Sequence, residues 1–226
     1  MNLYDILGPV MVGPSSSHTA GAVRIGLITR RLLGEAPAKA DIALAGSFAA
    51  TGKGHGTDRA LAAGLLGMQP DDIRIPRSLE LAKDQGMEIQ FREIQLKDAH
   101  PNTALLHVEA GSGRELELQA SSLGGGRIMV NKLDGIDVNF TGESHTLIVH
   151  NLDQPGHVAE VTSMLSHKSV NIATMQLYRN KRGGYAVMVL ETDQPIPEDS
   201  IAWLSHLEGV IKVTYLNTMQ EDEHGV

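Results

Sequence analysis

Thr146-Leu147-Ile148-Val149-His150-Asn151-Leu152-Asp153-Gln154-Pro155-Gly156-His157 runs apolar for the length of a strand, then breaks at a Pro-Gly turn. Val158, Val161, Met164 and Leu165 follow at helical spacing and define one apolar helix face. Asn171-Ile172-Ala173 opens a second strand and Tyr185-Ala186-Val187-Met188-Val189-Leu190 forms a third, joined to it by a hairpin at Arg182-Gly183-Gly184. Ser200 to Leu207 reads as a second helix closed by Gly209, and Val210 to Leu216 returns as a fourth strand. The order is strand-helix-strand-strand-helix-strand.

That order is the ferredoxin-like plait. With an Asp-X-Pro-Gly turn after its first strand and Asn-Ile opening its second, the segment resembles an ACT domain. The resemblance implies amino-acid sensing between paired copies of the domain. The positions matching the ligand-contacting turn are Asn151, Asp153, Gly156, His157 and Val158, with Asn171 and Ile172 opposite. Gly156 lets the backbone approach a ligand, and the helix N-terminus after it suits a carboxylate. The competing reading is that Pro155-Gly156 is simply an efficient strand-to-helix turn.

Upstream, the composition shifts near Gly142-Glu143-Ser144. Met87 to Leu96, Ala104 to Ala110, Glu115 to Ala120, Ile128 to Val130 and Ile136 to Phe140 are short runs separated by Gly, Asn and Asp, and read as strands. Asp71 to Gln85 reads as a connecting helix or turn with Pro76 near its start. The expected organisation is an α/β (α+β) protein: a mixed α/β domain over 1–142, the plait over 146–218 and an acidic tail over 219–226.

Two runs in the first domain carry chemistry. Gly13-Pro14-Ser15-Ser16-Ser17-His18-Thr19 precedes an apolar helical pattern, Ala22, Val23, Ile25, Leu27, Ile28, Leu32 and Leu33, which Gly34 ends. Ser17 or Thr19 is placed to cap that helix, and the exposed N–H groups at its start are placed to bind a carboxylate; the residues fit either role. Gly52-Lys53-Gly54-His55-Gly56-Thr57-Asp58 sits between the apolar stretch Ile42-Ala43-Leu44-Ala45 and the helical run Leu61-Ala62-Ala63-Gly64-Leu65-Leu66. It lacks the spacing of a phosphate-binding P-loop. It reads as a flexible loop that delivers His55, Thr57 and Asp58 to a helix start, where an imidazole can serve as acid, base or hydrogen-bond donor.

Together these runs resemble the N-terminal signatures of iron–sulfur-dependent L-serine dehydratase, and length plus plait resemble that family's separate beta subunit, through about Leu216. The resemblance implies that His55 and Thr57, and His100 and Asn102 of a later His-X-Asn element, approach an active site built on a cysteine-bearing alpha subunit. It implies that Ser15, Ser16, Ser17, His18 and Thr19 hold the substrate carboxylate or buttress the loop. A looser match is Ser121-Ser122-Leu123-Gly124-Gly125-Gly126. The implied reaction converts L-serine to pyruvate and ammonia on a 4Fe–4S cluster held by the partner's cysteines, with no metal bound by this chain alone. Self-association through the ACT domain is also implied, and a dimer of heterodimers is one arrangement that would satisfy it.

Composition limits the alternatives. The chain has 226 residues, 42% hydrophobic and 20% charged, the profile of a globular protein. A net charge of -8, three Phe and one Trp argue against nucleic-acid binding. No run approaches the roughly 20 apolar residues of a membrane span, and no leader pattern opens the sequence, so a cytoplasmic protein is expected. Zero cysteines exclude disulfides, thiol catalysis and any cysteine-ligated cluster in this chain, and the ten histidines show no zinc spacing. A hydrolase using Ser17 with His18 or His55 is disfavoured, because adjacent Ser and His pair poorly and the Gly-X-Ser-X-Gly elbow is missing. A purely regulatory amino-acid-binding subunit is the remaining alternative.

Overall fold

The computed structural model describes residues 11–217; the acidic tail over 219–226 lies outside the described residues. The chain divides into two compact units, 1–135 and 136–226.

In the first unit, helix α1 (Ala22–Leu33) ends where Gly34 turns left-handed at φ 86°, its N–H donating to the Arg30 carbonyl. Strand β1 (Pro37–Ala45) follows and buries four successive residues, Ile42 to Ala45, so both of its faces are covered. Helix α2 (Gly46–His55) and helix α3 (Thr57–Leu65) are separated by Gly56 at φ 71°. A 3₁₀ turn over Ile75–Arg77, carrying Pro76, leads into α4 (Ser78–Asp84). Strands β2 (Glu88–Ile94), β3 (Asn102–Ala110), β4 (Glu115–Gly124) and β5 (Arg127–Leu133) match the expected runs, and the next expected run, β6 (Ile136–Phe140), opens the second unit. The strand order within the first unit is β2-β1-β3-β4-β5, with β1 parallel to β2 and antiparallel to β3. Ile25, Leu32, Leu61, Leu106 and Leu118 are fully buried in its core.

Small residues set the α1–α3 distance. A Cβ on Gly26 would lie 2.4 Å from the Leu61 carbonyl oxygen, and one on Gly64 would lie 2.1 Å from the Val23 carbonyl oxygen. The two backbones therefore approach as only paired glycines allow. Arg30 of α1 locks the arrangement by donating to the Leu65 carbonyl at 2.9 Å, which satisfies an orphan acceptor at the end of α3.

The second unit has the expected plait. Strand β7 (His145–Leu152), helix α5 (His157–His167), strands β8 (Ile172–Arg179) and β9 (Tyr185–Thr192), helix α6 (Glu198–Leu204) and strand β10 (Val210–Leu216) follow in order. The sheet runs β10-β7-β9-β8 and its pairs are antiparallel. Leu147, Val149, Val161, Met164, Leu165, Met188, Leu190 and Leu204 make its core. Two expectations change. Val158 is 38% exposed, off the packed face of α5. The second helix begins after Pro197 and stops at Leu204, because Ser205 to Gly209 fold into turns that feed β10.

Among the described residues, no helix is long and apolar enough to cross a membrane.

Candidate functional site

The first serine run does not enter α1 directly. Ser15 is extended at φ −143° and ψ 123°, and a π-helical turn, Ser16–Gly21, starts immediately after it. The residue before the turn is the cap, so the His18 N–H donates to Ser15 Oγ at 3.2 Å, and neither Ser17 nor Thr19 caps as expected. Single π-turns widen the helix and recur at functional sites. This one packs against the Ser121–Gly126 stretch. The Gly125 N–H reaches Ser16 Oγ at 3.4 Å, Ser17 Oγ lies 3.6 Å from where a Gly124 Cβ would be, and a Cβ on Gly21 would strike Ser122 Oγ. Gly124, Gly125 and Gly126 all have positive φ, which explains why three glycines stand in succession.

The second run also departs from expectation, since Gly52 to His55 close helix α2 and do not form a flexible loop. Glycine disfavours helix interiors, but the start of α2 is held on both sides. The N–H groups of Ser47 and Phe48 donate to the Pro101 carbonyl at 2.7 and 3.4 Å, and Phe48 is fully buried. Left-handed Gly56 then turns the chain, leaving His55 exposed and Thr57 fully buried at the start of α3. Asp58 Oδ1 accepts the Arg59 N–H at 2.8 Å, a local helix-start contact.

Sheet register brings the third element to the same end. Ala45 pairs with Thr103, and Thr103 pairs with Ser121. A bridge joins Gly46 to Asn102. The exposed His100 accepts the Asn102 N–H on Nδ1 at 3.2 Å, so its neutral form carries the proton on Nε2. Thr103 Oγ1 donates to the His100 carbonyl at 2.6 Å and lies 2.8 Å from Ser121 Oγ, tying the turn to β4.

His18 is the hub. It is 8% exposed, with Nδ1 3.3 Å from Ser15 Oγ and Nε2 3.1 Å from Ser47 Oγ. Its ring meets His55 edge-on at 4.9 Å between centroids and Phe48 at 5.3 Å. Burial, and then the neighbouring His55, hold its pKa below the ordinary histidine value, against a hydrogen bond to the Ser47 backbone that raises it. Thr19 Oγ1, Thr57 Oγ1, Asn102 Oδ1 and Ser122 Oγ are buried polar atoms without a hydrogen-bond partner. Each such atom costs about 1–3 kcal/mol when left unsatisfied, and all four lie on the elements that meet at this sheet end.

Ser47, Phe48 and Thr103 are site elements that periodicity and motif spacing do not expose. Only Ser47, a hydroxyl two residues after the apolar run that ends at Ala45, leaves a faint signal. The chain's donor set does not fit a cysteine-ligated cluster: it has no cysteine, and among the described residues no group of three or more His, Cys, Asp or Glu side chains converges for a metal.

In the second unit the expected ligand residues separate. Asn151 is 3% exposed; its Nδ2 donates to the Leu152 carbonyl at 2.6 Å and its Oδ1 has no partner. Asp153 accepts the Gly183 N–H at 2.8 Å and Arg179 Nη1 at 3.2 Å, and those donors hold its pKa below the ordinary carboxylate value, the Gly183 N–H most strongly. Gly156 has φ 110° with open space where a Cβ would stand. His157 is buried, its Nδ1 3.5 Å from Glu160 Oε2 and its ring filling the space beside Gly209. Asn171 instead bonds Asp193 and Gln194. Leu152 pairs with Tyr185 and Ile172 with Thr192, so the two groups lie seven residues apart along β9, about 24 Å at roughly 3.4 Å per residue. A single copy does not assemble the expected ligand set.

A family model described as serine dehydratase beta chain matches residues 3–133. The chain is 41% identical to the probable L-serine dehydratase, beta chain, of Bacillus subtilis over 94% of this chain and 96% of that one. It is 39% identical to the L-serine dehydratase, beta chain, of Peptoniphilus asaccharolyticus over 86% of this chain and 88% of that one. Among solved structures, the ACT domain of a GTP pyrophosphokinase from Chlorobium tepidum covers 36% of this chain and 94% of its own at 20% identity, with a TM-score of 0.26, too low to establish a shared fold. The chain belongs to the serine dehydratase beta chain family.

Proposed function

We propose that this chain acts as one half of a heteromeric L-serine dehydratase, presenting its polar sheet end to an active site on a cysteine-bearing alpha subunit. The observation that carries the reading is the set of unpartnered buried atoms, Thr19 Oγ1, Thr57 Oγ1, Asn102 Oδ1 and Ser122 Oγ, on the elements around His18 and His55. In this reading the 4Fe–4S cluster belongs to the partner's cysteines.

Dehydration of L-serine removes a proton from Cα and delivers one to the departing hydroxyl; the aminoacrylate then becomes an imine and hydrolyses to pyruvate and ammonia. This chain's share is to orient the substrate and exchange those protons. Asn102 Oδ1 accepts from the substrate ammonium, Thr57 Oγ1 donates to an oxygen, and the Ser15–Thr19 turn faces the carboxylate. His55 and His100, both exposed, are the candidates for proton transfer or orientation in this reading, and proton transfer is a step in which histidine contributes about 10²–10⁴-fold.

The plait is read as an amino-acid sensor that works between two copies, supported by the open space at Gly156, the orphan Asn151 Oδ1 and the separation of Asn171 and Ile172 from them. Anaerobic co-expression with the cysteine-bearing subunit tests the whole reading. A brown complex that makes pyruvate from L-serine is expected, with this chain colourless alone. Failure to assemble or turn over contradicts it.

A further inference from the structure

Ser47 sits where three separate motifs meet. Its Oγ is 3.1 Å from His18 Nε2, its N–H donates to the Pro101 carbonyl between His100 and Asn102, and it begins the helix that ends in His55. Across the ring, Ser15 Oγ accepts the His18 backbone N–H and lies 3.3 Å from Nδ1. Each ring nitrogen thus faces one hydroxyl, and a neutral imidazole donates from one nitrogen and accepts at the other. With Phe48 behind it at 5.3 Å, the ring has one orientation, its edge to His55 at 4.9 Å.

We propose that Ser47 is a positioning residue: with Ser15 it holds His18 in one ring orientation and one dominant tautomer, and through that ring it sets the place of the His55 imidazole. Ser47 touches no reacting atom and acts through His18. Its backbone link to Pro101 puts the His100–Asn102 turn in register with the same ring. The proposal rests on the reading of this sheet end as part of a dehydratase active site, but its first test does not need turnover.

Histidine-selective ¹⁵N spectra of the isolated chain read the tautomer directly. Wild type is expected to show one dominant tautomer at His18. Ser47→Ala, which keeps the backbone bond to Pro101, is expected to give a mixed or reversed tautomer and a shifted His55 signal, and Ser47→Thr, which keeps the hydroxyl, to restore both. In the assembled enzyme Ser47→Ala is expected to lower kcat by about tenfold or more with KM held within about twofold, as loss of orientation does. If Ser47→Ala fails to fold, Ser47→Cys against Ser47→Thr makes the same comparison. Unchanged His18 and His55 spectra in a folded Ala or Cys variant overturn the proposal. Changed spectra in a chain whose wild type gives no turnover with its partner uphold it, while removing the dehydratase reading.

Discussion

Thr57 separates binding from folding at a single atom. Its side chain is fully buried and its Oγ1 has no partner, so the isolated chain bears a desolvated hydroxyl that contributes nothing to its own stability. Thr57→Val keeps the shape and removes that cost. We expect the isolated chain to melt at the same or a higher temperature, a gain of up to about 1–3 kcal/mol, while turnover in the assembled enzyme falls. A drop in melting temperature would show instead that the hydroxyl is structural. His18 gives a pH signature. Its folded pKa lies below the ordinary 6.5, so the unfolded chain binds a proton more readily. The neutral ring's contribution is therefore fully present above pH 6.5 and is lost as pH falls from there toward the folded value. Urea midpoints at pH 7 and pH 5 should differ less for His18→Asn than for wild type; equal differences would contradict the assignment.

The elements show how much the chain discloses before it is folded. The plait was legible because its strands alternate or run apolar, its turns carry Pro155-Gly156 and Gly183-Gly184, and local pattern and topology agree. The helix over Gly46–His55 was not, because two glycines in its last turns argue against a helix and the forces that hold it, buried Phe48 and the Pro101 carbonyl, come from elsewhere in the sequence. For the same reason the sequence does not single out Ser15 as the cap: it shows several hydroxyls in a row, and only the backbone conformation picks one. The histidines and hydroxyls of the site could be named from their motifs. Ser47 at their junction could not, since it is joined to them by sheet register and not by spacing. Glycine chemistry gives this scale its own prediction, of one sign at Gly26 and Gly64 and the opposite sign at Gly54. Gly26→Ala or Gly64→Ala drives a methyl into carbonyl oxygens of the facing helix, and overpacking of this kind costs about 1–3 kcal/mol. Gly54→Ala meets nothing within 4 Å and gains helix propensity, stabilising by up to about 1 kcal/mol. Calorimetry of the isolated chain should find lower melting for the first two and equal or higher melting for the third. Tolerance of alanine at position 26 would mean the two helices lie farther apart than described.

At the scale of the whole molecule, one unit gathers histidines and hydroxyls at one end of a sheet and the other is a plait whose candidate ligand residues lie at opposite ends of one strand. The first has no cysteine and, among the described residues, no converging metal-ligand set, and the second keeps Asn171 apart from Gly156. In the proposed function this chain completes a site that it does not itself contain. The decisive measurement is anaerobic pyruvate formation from L-serine by the assembled enzyme carrying wild-type chain or His55→Ala, with the brown cluster and the assembly checked in each. The account predicts turnover reduced by about 10²-fold or more in the variant with colour and assembly retained. Undiminished turnover in the variant would contradict it, and would leave this chain outside the chemistry.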